Sequence, residues 1–249
     1  MKRTALLGII ALLAAASFAS AAAFEQANQQ FAAGDFNAAA VSYEKAIAED
    51  GPDAAAYFNL GNAYQSLKRY GPAILAYERA RLLTPRDPDL RANLALARKA
   101  ATAFDEPGPN PRLEAAIGYL SRNEWSWLVA GGALSLGVLS LVGGMMSFQR
   151  RGLRKPAIAC GILAGMAIAA GSTALYLRKD EAKRGIILSG ETAVRLSPFE
   201  NAESVGTASA GRVVRLGERK GDFHYIEASG SNLRGWVASA DVAAINSVE

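Results

Sequence analysis

The residues able to do covalent or acid–base chemistry are few and scattered. The chain holds one cysteine, Cys160, and one histidine, His224. A Cys–His or Ser–His–Asp site could draw on a single imidazole, and no His/Cys zinc cluster can be assembled from one of each. Cys160 lies inside an apolar block and reads as a small packing residue. His224 alternates with Ile226 and Ala228, a structural position on a strand. The adjacent carboxylates Asp105-Glu106 sit among prolines, a poor place to hold catalytic geometry. No strand–Gly-rich loop–helix unit for phosphate and no metal-ligand spacing can be found. The expectation is a protein that is not an enzyme, with no catalytic residues, no metal and no cofactor. The net charge of +4 is mild and the basic residues form no run interleaved with aromatics, so no nucleic-acid partner is expected.

What remains is polar recognition, and four asparagines stand out: Asn28, Asn59, Asn62 and Asn93. The elements that must position them show up when the chain is compared with itself at a shift of 34. Asn28 meets Asn62, Phe36 meets Tyr70, Ala39 meets Ala73, Tyr43 meets Tyr77, Glu44 meets Glu78 and Ala46 meets Ala80. A period of 34 is that of a helix–turn–helix repeat. In the second unit Tyr57, Leu60, Gly61 and Tyr64 share one face of a first helix, Ala73, Tyr77 and Ala80 face them from a second, and Pro85 ends it. A third copy starts at Asp87-Pro88, with Asn93 and Leu94 matching Asn59 and Leu60, and lasts one helix, to about Phe104.

Over residues 24–104 this resembles the tetratricopeptide repeat, in two and a half copies. The resemblance implies an all-α solenoid whose first helices line a groove for peptides or partner helices. It places Asn28, Asn59, Asn62 and Asn93 at groove-facing positions, where they serve binding or tie the structure together. Asn28 and Asn59 resemble a pair that holds a peptide's C-terminal carboxylate in that family. Phe24, Asp89 and Asn93 stand where its cations would be, so the charge-assisted bonds to a carboxylate are missing. About three repeats are normally needed for stability, so this domain should be weakly stable alone, leaning on a partner or on the membrane-proximal segment.

The hydrophobic content of 51% is slightly high for a soluble protein, and the excess sits in three apolar blocks. Residues 1–23 open with Met1-Lys2-Arg3, run apolar to Phe18 and end in small residues, as a secretory signal peptide does. Cleavage would leave a mature start near Ala22 or Phe24; the alternative is an uncleaved anchor. Residues 125–148 and 156–177 carry no charge and are each long enough to cross a hydrocarbon core of about 30 Å. Trp125, Trp127 and Tyr176 mark their ends, and Gly161 and Gly165 form a Gly-x-x-x-Gly spacing. Only residues 149–155 join the two spans, forcing a hairpin. Arg150, Arg151, Arg154 and Lys155 give that loop a charge that favours the cytoplasmic side. A signal peptide exports the repeats behind it, so both soluble parts are expected outside the cytoplasmic (inner) membrane, on the periplasmic side.

Residues 105–124 hold a proline-rich boundary and then Leu113, Ala116, Ile117 and Leu120 on one helical face, either resting on the membrane surface or simply connecting. After a charged linker at 178–184, residues 185–249 break into short runs between Gly, Ser, Asn and Pro turns, which predicts a small all-β domain. Gly221-Asp222-Phe223, Gly230-Ser231-Asn232, Gly235-Trp236-Val237 and Ala193-Val194-Arg195-Leu196-Ser197-Pro198 resemble the bacterial SH3 domain. The resemblance implies a small barrel that binds the cell wall or a protein. Ala238 and Asp241 occupy the places of a polyproline site's proline and tyrosine, so that activity is not implied. Trp236 reads as a packing residue.

Taken in order, signal peptide, repeats, two-helix transmembrane hairpin and SH3-like barrel resemble the BatE proteins of Bacteroides aerotolerance operons. Asn59-Leu60-Gly61-Asn62-Ala63 and Arg91-Ala92-Asn93-Leu94-Ala95 belong to that resemblance. It implies a scaffold working with membrane proteins that carry von Willebrand factor A domains, and indirectly with a MoxR-type ATPase, in envelope stress or oxygen tolerance. The other expected contacts are membrane lipid and, in an alternative role, the cell wall through the SH3-like domain.

Overall fold

The computed structural model describes residues 23–103, 110–145, 151–228 and 231–246. The signal-peptide expectation, the acidic proline-rich boundary at 105–109, and Gln149 and Arg150 of the basic loop lie outside the described residues. The chain divides into two compact units: the described residues up to 103 together with those from 182 onward, and the described residues 110–181.

The first unit begins as a solenoid of antiparallel helix pairs: α1 (23–32), α2 (Phe36–Asp50), α3 (Ala54–Ser66), α4 (Tyr70–Leu83) and α5 (Pro88–Ala100). Aspartates start three of them. Asp35, Asp53 and Asp87 each accept a backbone N–H of the first turn with the side chain, filling one of the donors a helix start leaves open. The turn after each first helix needs a left-handed residue, and it recurs with the sequence period. Gly34, Lys68 and Thr102 have φ of 80°, 58° and 52°. The amides of Asp35, Arg69 and Ala103 close these turns on the carbonyls of Gln30, Tyr64 and Arg98 at 3.0, 2.9 and 2.9 Å. Alanines 39, 46, 73 and 80 are buried between helices, and a Cβ on Gly61 would stand 2.4 Å from the Tyr77 ring. Small residues thus let α3 and α4 approach while tyrosine fills the space beside them.

The rest of this unit is one antiparallel sheet: β1 (Arg184–Ile187), β2 (Glu191–Arg195), β3 (Ser204–Ser209), β4 (Val213–Lys220), β5 (Phe223–Ala228), β6 (Arg234–Ala238) and β7 (Val242–Ala244). The strand order is β3-β2-β6-β5-β4-β1-β7. The expected barrel is not what the strands form: β3 and β7 end the sheet and do not pair with each other, so it stays open. Shifts in pairing at Val194/Arg195 and between Leu216 and Arg219 bend it, and one face gathers Ile187, Val194, Val214, Ile226 and Val237 into a buried cluster.

A second apolar cluster belongs to both solenoid and sheet. Ile186, Val213 and Ile245 pack with Ile74, Leu75, Leu90 and Ala103. Contact is close enough to need glycine on both sides: a Cβ on Gly71 would lie 2.3 Å from the Leu188 carbonyl oxygen, and one on Gly211 2.3 Å from Cδ1 of Ile74. Arg79 of α4 donates to the Ala244 carbonyl at 3.0 Å. The sheet therefore covers a flank of α4 and the end of α5, the cover that two and a half repeats lack. That cover was expected from a partner or from the membrane-proximal segment; the structure draws it from the far end of the same chain.

The second unit holds α6 (Pro111–Gly118), α7 (Arg122–Met145) and α8 (Arg151–Leu177). Residues Arg122–Val142 and Lys155–Lys183 are long and apolar enough to cross a membrane. Ser121 and Glu124 cap α7 reciprocally at 2.7 and 3.3 Å. The Trp125 indole donates to the Ile117 carbonyl at 2.9 Å, and Arg178 donates to the Leu120 carbonyl at 2.7 Å and to Glu181 at 2.8 Å. Close approach of α7 and α8 uses Gly132, against Ile168 and the Ala164 carbonyl, and Gly171, against Val129 and the Trp125 carbonyl. Gly161 and Gly165 have nothing within 4 Å, so the Gly-x-x-x-Gly pair does not serve this contact. Helix α8 begins at Arg151, which puts Arg151, Arg154 and Lys155 in its first turns instead of a free connection. Cys160 is exposed on α8 and does not pack, contrary to its reading from sequence.

Candidate functional site

The four asparagines fall on the first helices of the solenoid: Asn28 on α1, Asn59 and Asn62 on α3, and Asn93 on α5, all half-buried. Their side chains form two copies of one network. Tyr43 donates its hydroxyl to Asn28 Oδ1 at 2.7 Å, and Asn59 Nδ2 donates to the same oxygen at 3.3 Å. One period later Tyr77 donates to Asn62 Oδ1 at 2.7 Å, and Asn93 Nδ2 donates to it at 3.0 Å. Burial raises the pKa of both tyrosine hydroxyls above the ordinary phenol range, so they stay protonated as donors. Each network links three helices, and each spends both acceptor positions of the central amide oxygen. The Nδ2 groups of Asn28 and Asn62 make no bond to other described residues. They are the amide donors of these networks that no described residue takes up.

Behind these networks a third hydrogen bond also repeats, with a changed partner. Tyr64 donates to Glu44, and one period later Arg98 donates to Glu78. Glu78 is fully buried and also takes two bonds from Arg81, from Nε at 3.1 Å and from Nη2 at 2.6 Å. Burial alone would push its carboxyl up. The guanidiniums of Arg81, Arg98 and Arg184 overcome that and hold it below the usual range. Arg184 opens β1, so this node joins α4, α5 and the start of the sheet. Sequence comparison matched Glu44 to Glu78 without showing its role. The signal that could have shown it is the exchange of Tyr64 for Arg98 at the equivalent position.

A family model for the tetratricopeptide repeat matches residues 54–87. The matched stretch is the α3–α4 unit with the turn at its end, and the flanking copies are supported by the recurring turns and networks. Comparison with curated proteins finds no match. At this repeat's carboxylate-clamp positions, Phe24 packs its ring against Tyr43 at 5.8 Å, Asp89 is exposed and Asn93 is held by Asn62. None of these three is a cation, so none of them can give a carboxylate a charge-assisted bond.

The remaining chemistry-bearing residues do not converge. His224 stands on β5 between Arg219 and Val237, and burial, then the Arg219 charge, lower its pKa. Trp236 packs its ring edge-on against Tyr225 at 5.5 Å. Among the described residues no three His, Cys, Asp or Glu side chains gather closely enough to hold a metal ion.

Proposed function

We propose that this chain is a non-catalytic, membrane-anchored scaffold that holds an extended segment of a protein partner against the first helices of its repeats. The observation that carries the reading is the doubled Asn–Tyr–Asn network, which fixes α1, α3 and α5 in register and leaves one amide donor per repeat for a bound backbone. The two apolar helices supply the anchor, and the sheet braces the solenoid. The shared core of solenoid and sheet supports a topology with both on one side of the membrane, since a hairpin of two spans returns the chain to the side it left. A signal peptide at 1–23 would make that the periplasmic side of the inner membrane, with Arg150, Arg151, Arg154 and Lys155 in the cytoplasm. A BatE-type role in aerotolerance or envelope stress, with von Willebrand factor A domain membrane proteins as partners, fits this architecture.

Site-specific photo-crosslinking in cells tests the reading. A crosslinker at Leu96 of α5, 56% exposed, or at Ala55 of α3 should trap a membrane protein. The same group at Val41 of α2, 65% exposed on a second helix, should not. Equal trapping from all three positions would overturn the groove assignment.

A further inference from the structure

The face of the sheet turned away from its buried cluster carries an ordered set of charges and rings that the groove does not use. Residues opposite one another across strands share a face. In register across three neighbouring strands stand Arg215, Glu227 and Arg234; the same row continues to Arg184, which already serves the Glu78 node, and beside it Ile186 and Val213 are covered by the solenoid. In the next row Tyr225 stands opposite Trp236, and Trp236 opposite Arg195. Two adjoining hollows of about 700 and 600 Å³ lie along these rows and share Arg215 and Glu227 as a common wall. Their lining contains three cations, Lys183, Arg215 and Arg234, against one carboxylate, Glu227. Gly217 keeps the floor open: a Cβ there would sit 3.1 Å from the Tyr225 ring.

We infer that this face is a second docking surface, for an extended acidic peptide of a protein partner. The sign pattern selects the occupant. Arg215 and Arg234 flank Glu227 two strands apart, about 10 Å at the usual strand spacing. A peptide in the polyproline II conformation, with three residues per turn and ~3.1 Å per residue, sets carboxylates three residues apart on one side at about that distance. Each carboxylate then meets one guanidinium, and the uncharged residues between them pass over Glu227. A uniformly anionic lipid surface would instead press a headgroup against that carboxylate. The Tyr225–Trp236 pair gives an apolar side chain of the peptide a ring platform beside the charged row. This inference does not rest on the groove reading, because it uses a different surface.

The test uses the full chain in mild detergent, with Trp125 and Trp127 replaced by Phe so that Trp236 alone reports, and the labelled, end-blocked peptide Gly-Glu-Pro-Tyr-Glu-Gly, read by anisotropy and by Trp236 fluorescence. The peptide should bind at least tenfold more tightly than its glutamine counterpart. Arg215→Ala with Arg234→Ala should cost at least tenfold, and Trp236→Phe should abolish the fluorescence response but not folding. Glu227→Gln should bind as well as or better than the wild type. An unchanged melting curve confirms that the double variant is folded. Equal affinity for the two peptides overturns the inference, as does full affinity in the double variant. Perturbation of Trp236 by dispersed short-chain phosphatidylglycerol but not by the peptide assigns the face to lipid and overturns it too.

Discussion

Replacing Glu78 with glutamine isolates the node that ties solenoid to sheet. The carboxylate accepts from Arg81 twice and from Arg98, and it has no access to solvent. Glutamine keeps the shape but offers one acceptor oxygen, and it turns an amide N–H2 toward a guanidinium that is itself a donor. Removing one partner of a buried ionic cluster costs about 3 to 5 kcal/mol. With a urea m-value of about 1–3 kcal/mol/M, the midpoint of the solenoid–sheet unit should fall by about 1 M or more. The assay is urea titration of the full chain in mild detergent, followed by far-ultraviolet circular dichroism. A pH series adds a second arm. The folded carboxyl titrates below its unfolded value, near 4.3, so the unfolded state takes up the proton first as pH falls. The node's contribution is complete above that value and disappears as pH drops through the folded pKa. The gap between wild type and Glu78→Gln should therefore be constant from pH 8 to about 5.5 and shrink toward pH 3. A midpoint change worth less than about 1 kcal/mol at pH 7, or a gap that widens in acid, would refute the reasoning.

Two further substitutions probe the same unit. Gly71→Ala places a Cβ against the Leu188 backbone carbonyl, which cannot swing aside as a side-chain end could. Overpacking of this kind costs about 1–3 kcal/mol, and hydrogen exchange at the Gly211 amide, bonded to the Ile187 carbonyl at 2.7 Å, should accelerate; unchanged exchange would rule out the close contact. Lys68→Gly should act in the opposite direction. The left-handed turn costs a side-chain-bearing residue about 1–2 kcal/mol, partly offset by the greater unfolded freedom of glycine, so the urea midpoint should rise by about 0.5–1 kcal/mol equivalent; no rise would mean that Lys68 gains there an interaction worth as much.

The solenoid was legible in the sequence because its period is carried by residue type. Tyr43 and Tyr77, Asn28 and Asn62, and the paired alanines repeat in kind, and the turns at Gly34, Lys68 and Thr102 recur even though only the first is glycine. The asparagines were legible as a set, but their bonding was not. Which amide oxygen takes two donors depends on how α1, α3 and α5 stack, and no single helix encodes that. The contact of sheet with α4 was hidden because Gly71, Ile74 and Arg79 look like an ordinary mixed helix face until a partner surface is in place. Closure of the sheet was likewise beyond reach: alternation predicts strands, whereas an open or closed form turns on pairing shifts such as that at Val194/Arg195. For the apolar helices, glycine spacing alone could not say which face meets the neighbour, and Gly132 and Gly171 met it where Gly161 and Gly165 did not.

The shared core also limits how the chain can meet a membrane. The residues before and after the 110–181 insert belong to one compact unit: Ala103 packs beside Gly211, and Glu78 feels Arg184. Such a core can form only if its two halves fold in the same compartment. An odd number of crossings between them would leave Ile186, Val213 and Ile245 facing water on one side and the flank of α4 facing water on the other. An even number avoids that, and two helices of sufficient length and apolarity lie in the insert. The hairpin proposed above meets this demand of the core, and the two apolar helices of the insert are long enough to form it.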